Sequence, residues 1–203
     1  QLYPAMPYDA YAGMTDEDLH ALYTYMLQAV PAVDAPTPET QLPFPFNQRW
    51  SMLVWKGLYL KKGPYQPDAA QSAEWNRGAY LTQVLAHCTS CHTPRTMLMG
   101  EDAKQPLAGA YVGPWYAPNI SSSPAAGIGN WSEAELVQYM QTGHAPGKGQ
   151  AAGGMAEAVQ NSLQFLPESD LKAIAVYLKA TPPIDGNSAN AKATDPRGSA
   201  HSD

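Results

Sequence analysis

The sequence predicts an all-α protein, and three observations lead to that fold class. Apolar side chains recur at helical spacing in several separate segments of the chain. Residues typical of helix N-caps stand before three of these segments, at Thr15, Ser72 and Ser132. The 19 prolines and 16 glycines cluster between the segments, which indicates loops and connectors between helices.

Composition narrows the possible classes of function. A chain of 203 residues could hold one large domain or two small ones. Its formal charge of −6 argues against a nucleic-acid partner, because such proteins neutralise phosphates with basic side chains. No apolar run approaches the roughly 20 residues that cross a bilayer. The sequence from Gln1 lacks the basic and apolar regions of a signal peptide. This does not indicate a cytoplasmic protein, because mature or truncated chains lack the signal too.

Residues 1–31 are predicted to form a loop followed by one helix. Thr15 is the expected N-cap, and three acidic residues follow it in the first turn, where they favour the positive end of the helix dipole. Large apolar side chains then repeat at helical spacing from Leu19 to Met26, and Pro31 ends the segment. Such a helix cannot bury its apolar face alone, so it must pack on another part of the protein.

Residues 32–71 are predicted to be a linker that contains one short helix. The prolines that cluster up to residue 45 exclude a regular helix or a central strand there. The stretch from Arg49 to Leu60 is rich in large apolar groups and is expected to form one or two helical turns against a neighbouring surface. A Gly-Pro-Tyr-Gln-Pro sequence from residue 63 then breaks the pattern.

Residues 72–182 are predicted to form one complete helical domain. Its first helix begins after Ser72, which stands in an N-cap position. Loop-rich sequence follows in the middle of the domain. A capping box at Ser132 and Glu135 then opens a short helix, and Gly143 ends it.

A glycine-rich loop over residues 143–154 leads to Met155, which is therefore expected to lie in a loop. The last helix of the domain begins near Pro167, a residue suited to the first helical position, and ends before Pro182. Residues 183–203 are polar and are predicted to be a linker or tail.

The two cysteines of the chain stand in a Cys-x-x-Cys-His motif at residues 88–92. With this spacing a polypeptide captures haem covalently through two thioether bonds, and the histidine that follows is placed to bind the iron. Cys88 and Cys91 are therefore predicted to attach one haem c. His92 is predicted to be the first axial ligand of its iron.

Two other interpretations of the motif are weaker. A thioredoxin-like pair of cysteines is expected in a βαβ setting, whereas this one follows a helix and precedes loops. A zinc site built from His87, Cys88, Cys91 and His92 is also disfavoured, because all four residues lie within six positions. Zinc-binding pairs are normally separated by a dozen or more residues, so that two elements converge on the metal.

Fast electron transfer through haem needs a second axial ligand, and Met155 is the candidate. It lies just ahead of the terminal amphipathic helix, and methionine sulfur favours ferrous iron and raises the potential. Four rivals are Met97, Met99, Met140 and His144. The first two are too close to His92 in sequence, and Met140 lies in a predicted helix where a core role is favoured. His144 stays open, and ligation by two histidines would lower the potential.

Haem propionates need buried hydrogen-bond donors, and three residues are plausible ones: Arg95, Asn119 and the indole Nε1 of Trp131. The default interpretation of Trp115 and Trp131 is nevertheless packing in the core. His87 is expected to pack beside the haem edge or to be exposed.

An internal repeat connects the first helix with the last. The segment from Thr15 to Tyr25 matches the segment from Pro167 to Tyr177 at a constant offset of 152, with identical Asp, Leu, Ala and Tyr residues. Each copy follows a methionine, Met6 or Met155. This predicts that residues 1–31 are the C-terminal part of another domain of the same kind. Met6 would then be an axial ligand of a haem attached upstream of this chain.

The order of helix, attachment motif, loop tryptophan, short helix, methionine and terminal helix resembles a class I cytochrome c domain. More specifically, five segments resemble the multihaem cytochrome c subunit of bacterial membrane-bound dehydrogenases for alcohols, aldehydes or gluconate. They begin at Trp75, His87, Ala117, Gly127 and Gly154. The Tyr-Pro-Ala-Met-Pro-Tyr sequence at residues 3–8 is similar to a methionine loop of that family.

The resemblance implies three haem domains on a periplasmic subunit, which passes electrons from a catalytic subunit to membrane ubiquinone. That catalytic subunit is a quinoprotein, a flavoprotein or a molybdenum enzyme in different relatives. This chain departs from the pattern because it contains one attachment motif. We expect an electron-transfer subunit, with substrate oxidation in a partner chain. Two alternatives stay open: a haem enzyme with an open sixth site, such as a peroxidase, and a non-haem metal or thiol module.

Overall fold

A computed structural model describes residues 2–4, 6–36, 41–45, 47–60 and 63–185. The chain divides into two compact units, residues 1–66 and residues 67–203. The division falls slightly before residue 72, where the complete helical domain was predicted to begin.

The first unit contains three helices: α1 (Tyr8–Tyr11), α2 (Asp16–Gln28) and α3 (Ser51–Tyr59). The Thr15 hydroxyl accepts a hydrogen bond from the Asp18 amide, which confirms the predicted N-cap of α2. Helix α3 confirms the helical turns predicted between Arg49 and Leu60. Its Trp55 is buried, and the ring of Tyr8 meets it edge-on at a centroid distance of 6.2 Å. Aromatic contact therefore holds α3 against the N-terminal segment.

Helix α2 buries none of its residues. Its large side chains, among them Leu19, Leu22 and Met26, are all about half exposed or more. An amphipathic helix normally buries its apolar stripe, so α2 presents a face that within the described residues is left uncovered.

The second unit contains the remaining elements. In chain order these are α4 (Ala73–Tyr80), a π-helix (Leu81–Leu85), α5 (Thr89–His92), β1 (Ala110–Val112), β2 (Trp115–Ala117), α6 (Glu133–Thr142), β3 (His144–Ala145), β4 (Gly149–Gln150), α7 (Gly153–Asn161), a 3₁₀-helix (Leu163–Phe165) and α8 (Glu168–Lys179). The predicted caps at Ser72 and Ser132 are confirmed, as is the left-handed Gly143 that ends α6.

Helices α4 and α8 cross at a glycine, and this crossing organises the core. A Cβ atom on Gly78 would lie 1.9 Å from the carbonyl oxygen of Ala173, so only glycine allows so close an approach. Arg77 forms a two-pronged ion pair with Asp170, with nitrogen to oxygen distances of 2.9 and 2.6 Å. The rings of Trp75 and Tyr177 meet edge-on. Apolar side chains of α6, α7 and α8 then complete the core.

Several predictions about the second unit need correction. Met155 does not lie in a loop, because α7 begins at Gly153 and includes it. The all-α prediction holds for the main elements, but two antiparallel hairpins, β1–β2 and β3–β4, occupy loop sequence. The segment just after residue 182 contacts this unit, since the Ile184 amide donates to the Ser121 hydroxyl at 3.1 Å. The rest of the predicted polar tail, from residue 186, lies outside the described residues.

Over the described ranges, no helix combines the length and the apolar character that crossing a bilayer requires.

Candidate haem-attachment site

The attachment motif begins just after an unusual turn of helix. The π-helix ends at Leu85, and the Cys88 amide donates back to the Thr82 carbonyl at 2.8 Å. His87 between them has a positive φ of 38°, a strained conformation for a residue with a side chain. Helix α5 then carries Cys91 and His92. Cys91 is exposed and Cys88 is half-buried, while His92 is buried.

The His92 ring is held through Nδ1, which leaves its other nitrogen, Nε2, to bind a metal. Its Nδ1 atom lies 2.7 Å from the carbonyl oxygen of Pro118. A carbonyl only accepts hydrogen bonds, so Nδ1 carries the proton and Nε2 keeps its lone pair. Burial lowers the pKa of His92, although the Pro118 carbonyl opposes this effect by stabilising the protonated ring. The result is a neutral, oriented imidazole, which is the form that binds iron.

The surroundings of Cys88 do not favour a thiol redox centre. Burial is the main cause that raises the pKa of Cys88 to about 12, so its thiolate is strongly disfavoured at neutral pH. A reactive thiol has the opposite property, a lowered pKa. A thioether carries no charge, so the same environment suits a cysteine attached to haem.

The zinc interpretation also lacks support. Over the part of the chain that the structure describes, no three His, Cys, Asp or Glu side chains are grouped so that they could hold a metal ion. The donor set of two sulfurs and one imidazole within a single turn of helix fits haem attachment better.

A cavity of about 380 Å³ adjoins the motif. Its lining includes Arg95, Gln105, Gly109, Tyr111 and Tyr116, and the Gly109 amide donates to the His92 carbonyl at 2.7 Å. Gly109 has φ of +89°, and a Cβ atom there would lie 2.5 Å from the Tyr116 hydroxyl oxygen. The cavity therefore brings one cationic side chain, Arg95, next to the backbone that contacts the His92 carbonyl.

The three predicted propionate donors have different surroundings. Arg95 lines the cavity and donates to the Ser90 carbonyl from its Nη2 atom. Asn119 is buried, and its Nδ2 donates to the Ile184 carbonyl at 2.6 Å while its Oδ1 accepts from the Ser121 amide. Trp131 packs edge-on against Tyr139 beside the core. Asn119 therefore ties the end of the domain to its middle loop, a role that the sequence did not predict.

Met155 is half-buried in the first turn of α7 and packs against the core. Its rivals lie elsewhere: Met97 is 97% exposed, Met99 and His144 are exposed, and Met140 is buried as the sequence predicted. Met6, in the first unit, is exposed as well.

Sequence reasoning missed two features of the site. Pro118 orients His92 through its carbonyl, a contact across 26 positions that no local pattern indicates. Trp115 was expected in the core, but it is 45% exposed and lies against Gly153, ahead of Met155. The rigid φ of Pro118 was the one available signal for the first feature.

Comparison with known proteins identifies relatives of this chain. A fructose dehydrogenase cytochrome subunit of Gluconobacter japonicus is 51% identical over 90% of this chain and 37% of that protein. A nicotinate dehydrogenase subunit of Pseudomonas putida is 44% identical over 88% of the chain and 15% of its own length. A gluconate 2-dehydrogenase cytochrome c subunit of Pantoea cypripedii is 38% identical over 88% and 42%.

The chain thus spans about two fifths or less of the length of these curated relatives. The family model for cytochrome c matches residues 76–182, more than half of the chain and most of its second unit. The attachment motif, the oriented His92 and this match lead to one conclusion: the chain belongs to the cytochrome c family, whose cofactor is covalently bound haem c.

Proposed function

We propose that this chain is an electron-transfer part of a dehydrogenase complex and that substrate is oxidised in a partner subunit. The observation that carries the proposal is the buried, neutral His92, held through Nδ1 by the Pro118 carbonyl at the end of a Cys-x-x-Cys-His motif. When bound, haem c supplies one-electron redox chemistry at its iron.

The residues of the chain have separate roles in this proposal. Cys88 and Cys91 hold the cofactor by thioether bonds, and His92 presents Nε2 to the iron. Arg95 at the cavity supplies positive charge for a propionate, and Asn119 and Trp131 are further donors for this group. Since the first amide proton of Asn119 is used by Ile184, only its second is available for a propionate.

Met155 is the proposed second axial ligand. Support comes from its half-buried position in the first turn of α7, where core packing holds the residue. A full coordination shell would leave no site for peroxide, which favours electron transfer over a peroxidase-like activity. The relatives named above, which are dehydrogenase subunits, give the peroxidase alternative no support.

The partner is proposed from the same relatives. Those named for fructose and gluconate dehydrogenases are cytochrome subunits. We infer that this chain accepts electrons from a catalytic subunit of the quinoprotein, flavoprotein or molybdenum type and passes them towards ubiquinone. A periplasmic location on the cytoplasmic membrane follows as part of the proposal, because c-type haem is attached there.

Residues 1–31 are proposed to be the C-terminal part of a second cytochrome c domain, followed by a linker that includes α3. The comparison of the two repeat copies supports this. Leu171 in α8 is fully buried, whereas the equivalent Leu19 in α2 is 53% exposed. In α8 Leu171 belongs to the hydrophobic core of its unit, so the face of α2 that carries Leu19 is the one that the core of such a domain would cover. Exposed Met6 is accordingly proposed as a ligand of that domain's haem.

Optical spectroscopy of the haem-loaded chain tests the proposed function. Low-spin c-type bands with a sulfur-to-iron charge-transfer band in the ferric form are expected. Met155→Ala should keep the haem attached but remove that band, while His144→Ala should leave it unchanged. A high-spin ferric spectrum of the unaltered chain would favour the enzyme alternative, and an absent Soret band would refute both. Identification of the large subunit that co-purifies would then establish the substrate.

A further inference from the structure

The indole ring of Trp115 lies on the backbone at the start of α7. A Cβ atom on Gly153 would be 2.6 Å from each of two carbons of this ring, well inside the distance at which carbon atoms pack. Gly153 also has φ of +53°, where any residue with a side chain is strained. Trp115 and Gly153 therefore fit each other, and Met155 stands two residues later.

The opposite end of this short entry segment is fixed by a hydrogen bond. The Ala151 amide donates to the carbonyl of Gly143, the residue that ends α6, at 2.7 Å, and Ala151 is buried. The backbone that leads to Met155 is thus held at Ala151 by the residue that ends α6 and contacted at Gly153 by Trp115.

We propose that Trp115 is a positioning residue that holds the first turn of α7 so that the Met155 sulfur stays in place as an axial ligand. This inference rests on the proposed ligation by Met155. A thioether is a neutral and weak ligand, so its bond depends on a supporting shell that prevents the side chain from moving away. Trp115 belongs to β2. The next residue of this strand, Tyr116, lines the cavity beside His92. One hairpin thereby contacts both the cavity and the methionine segment.

The neighbouring glycine provides a matched control. A Cβ atom on Gly154 would meet nothing within 4 Å, and the residue is exposed. Gly153→Ala and Gly154→Ala therefore add the same methyl group to adjacent positions of α7. Only Gly153→Ala forces this methyl group against Trp115. Phe165, also exposed in this unit, serves as the control for loss of an aromatic side chain.

The test uses the full 203-residue chain with haem attached. Imidazole is added to the ferric protein, and loss of the charge-transfer band gives the rate at which it displaces methionine. We expect Trp115→Ala and Gly153→Ala each to raise this rate about tenfold, equivalent to about 1.4 kcal/mol. Trp115→Phe should restore most of the original rate. Gly154→Ala and Phe165→Ala should leave the rate unchanged.

A double variant isolates the contact. Once Trp115 is replaced by alanine, the added methyl of Gly153→Ala has no ring to meet, so its further effect should be smaller than in the unaltered chain. Full additivity of the two effects would overturn the proposal. The free energy of global unfolding of Trp115→Ala is measured as well. If it falls by as many kcal/mol as the change in the displacement rate represents, the role of Trp115 is general stability and the proposal fails. If Met155→Ala keeps the charge-transfer band, the ligand assignment itself fails, which is a distinguishable result.

Discussion

The carbonyl oxygen of Pro118 lies 2.7 Å from Nδ1 of His92, and this pair aligns the buried imidazole. The two residues stand 26 positions apart, on either side of the β1–β2 hairpin. Since the acceptor is a backbone atom, its position depends on the conformation at Pro118, and the pyrrolidine ring restricts φ there. The orientation of the proposed iron ligand thus depends on local backbone stiffness.

Replacing Pro118 with alanine should loosen this hydrogen bond without removing the carbonyl. Without the pyrrolidine ring the backbone at residue 118 samples a wider range of φ. We therefore expect the Nδ1 proton of His92 to exchange with solvent up to about fivefold faster, which corresponds to losing about 1 kcal/mol of hydrogen-bond free energy. Proton NMR of the haem-loaded chain measures the exchange. Pro114→Ala, at an exposed position in the β1–β2 turn, is the control. Equal exchange rates in both variants would contradict the proposed role of Pro118.

Gly78→Ala should destabilise the second unit by about 3 kcal/mol. The new Cβ atom would lie 1.9 Å from the Ala173 carbonyl oxygen, and neither helix backbone can yield without separating α4 from α8. Chemical denaturation followed by circular dichroism gives the free energy of unfolding. Gly154→Ala, which adds a methyl group in open space, should instead stabilise the protein by about 0.5 kcal/mol. Equal effects of the two variants would show that the α4–α8 crossing is not tight.

Thr82→Val is expected to stabilise the protein by about 1 kcal/mol. The Thr82 hydroxyl is fully buried and has no hydrogen-bond partner among the described residues, so it loses its hydration on folding without compensation. Valine keeps the volume and removes the polar atom. Thr82→Ala is the comparison, because it also removes a methyl group and should therefore be destabilising. A loss of stability in Thr82→Val would reveal a partner for the hydroxyl.

The capping box of α6 predicts a pH dependence. The Ser132 amide and hydroxyl hydrogen-bond the Glu135 carboxylate, and these bonds hold the pKa of Glu135 below its usual range. A lowered pKa in the folded state means that the stabilisation is present above the unfolded pKa of about 4.3. It is lost as the pH falls through the folded value.

An NMR titration of the Glu135 carboxyl group checks this prediction. The Ser132 amide, the larger cause, is kept in Ser132→Ala, so the pKa should move only part of the way up towards its ordinary value. The loss of the N-cap should cost about 1 kcal/mol at neutral pH. Glu135→Gln keeps an acceptor for the Ser132 amide but should abolish this part of the acid dependence. An unchanged Glu135 pKa in Ser132→Ala would contradict the contribution assigned to the hydroxyl.

Local chemistry explains which parts of the fold were predictable. The caps at Thr15, Ser72 and Ser132 depend on hydrogen bonds to amides three positions away, so they are visible in the sequence. Helix α7 was missed because Gly153 and Gly154 open it, and glycine disfavours helix. Its start is instead fixed by tertiary contact with Trp115, which comes from a distant strand.

The candidate site also combines residues that local sequence predicts with contacts that only the tertiary structure reveals. Cys88, Cys91 and His92 could be recognised because haem attachment needs a fixed local spacing. The orienting role of Pro118 depends on a contact across the fold and could not. Asn119 was assigned by residue type alone, whereas its observed partner, Ile184, lies 65 positions later. Its structural role is therefore set by tertiary structure.

The π-helix between α4 and the attachment motif has a geometric consequence. A turn of π-helix contains about one residue more than a turn of α-helix. One residue corresponds to about 100° of rotation around the helix axis. Gly78 can therefore face α8 while the cysteines point in a direction that an unbroken α-helix would not give them. Loss of a single residue between Leu81 and Leu85 would preserve the helix crossing and turn the attachment motif away from the cavity. The length of this segment is thus as strictly constrained as its chemistry.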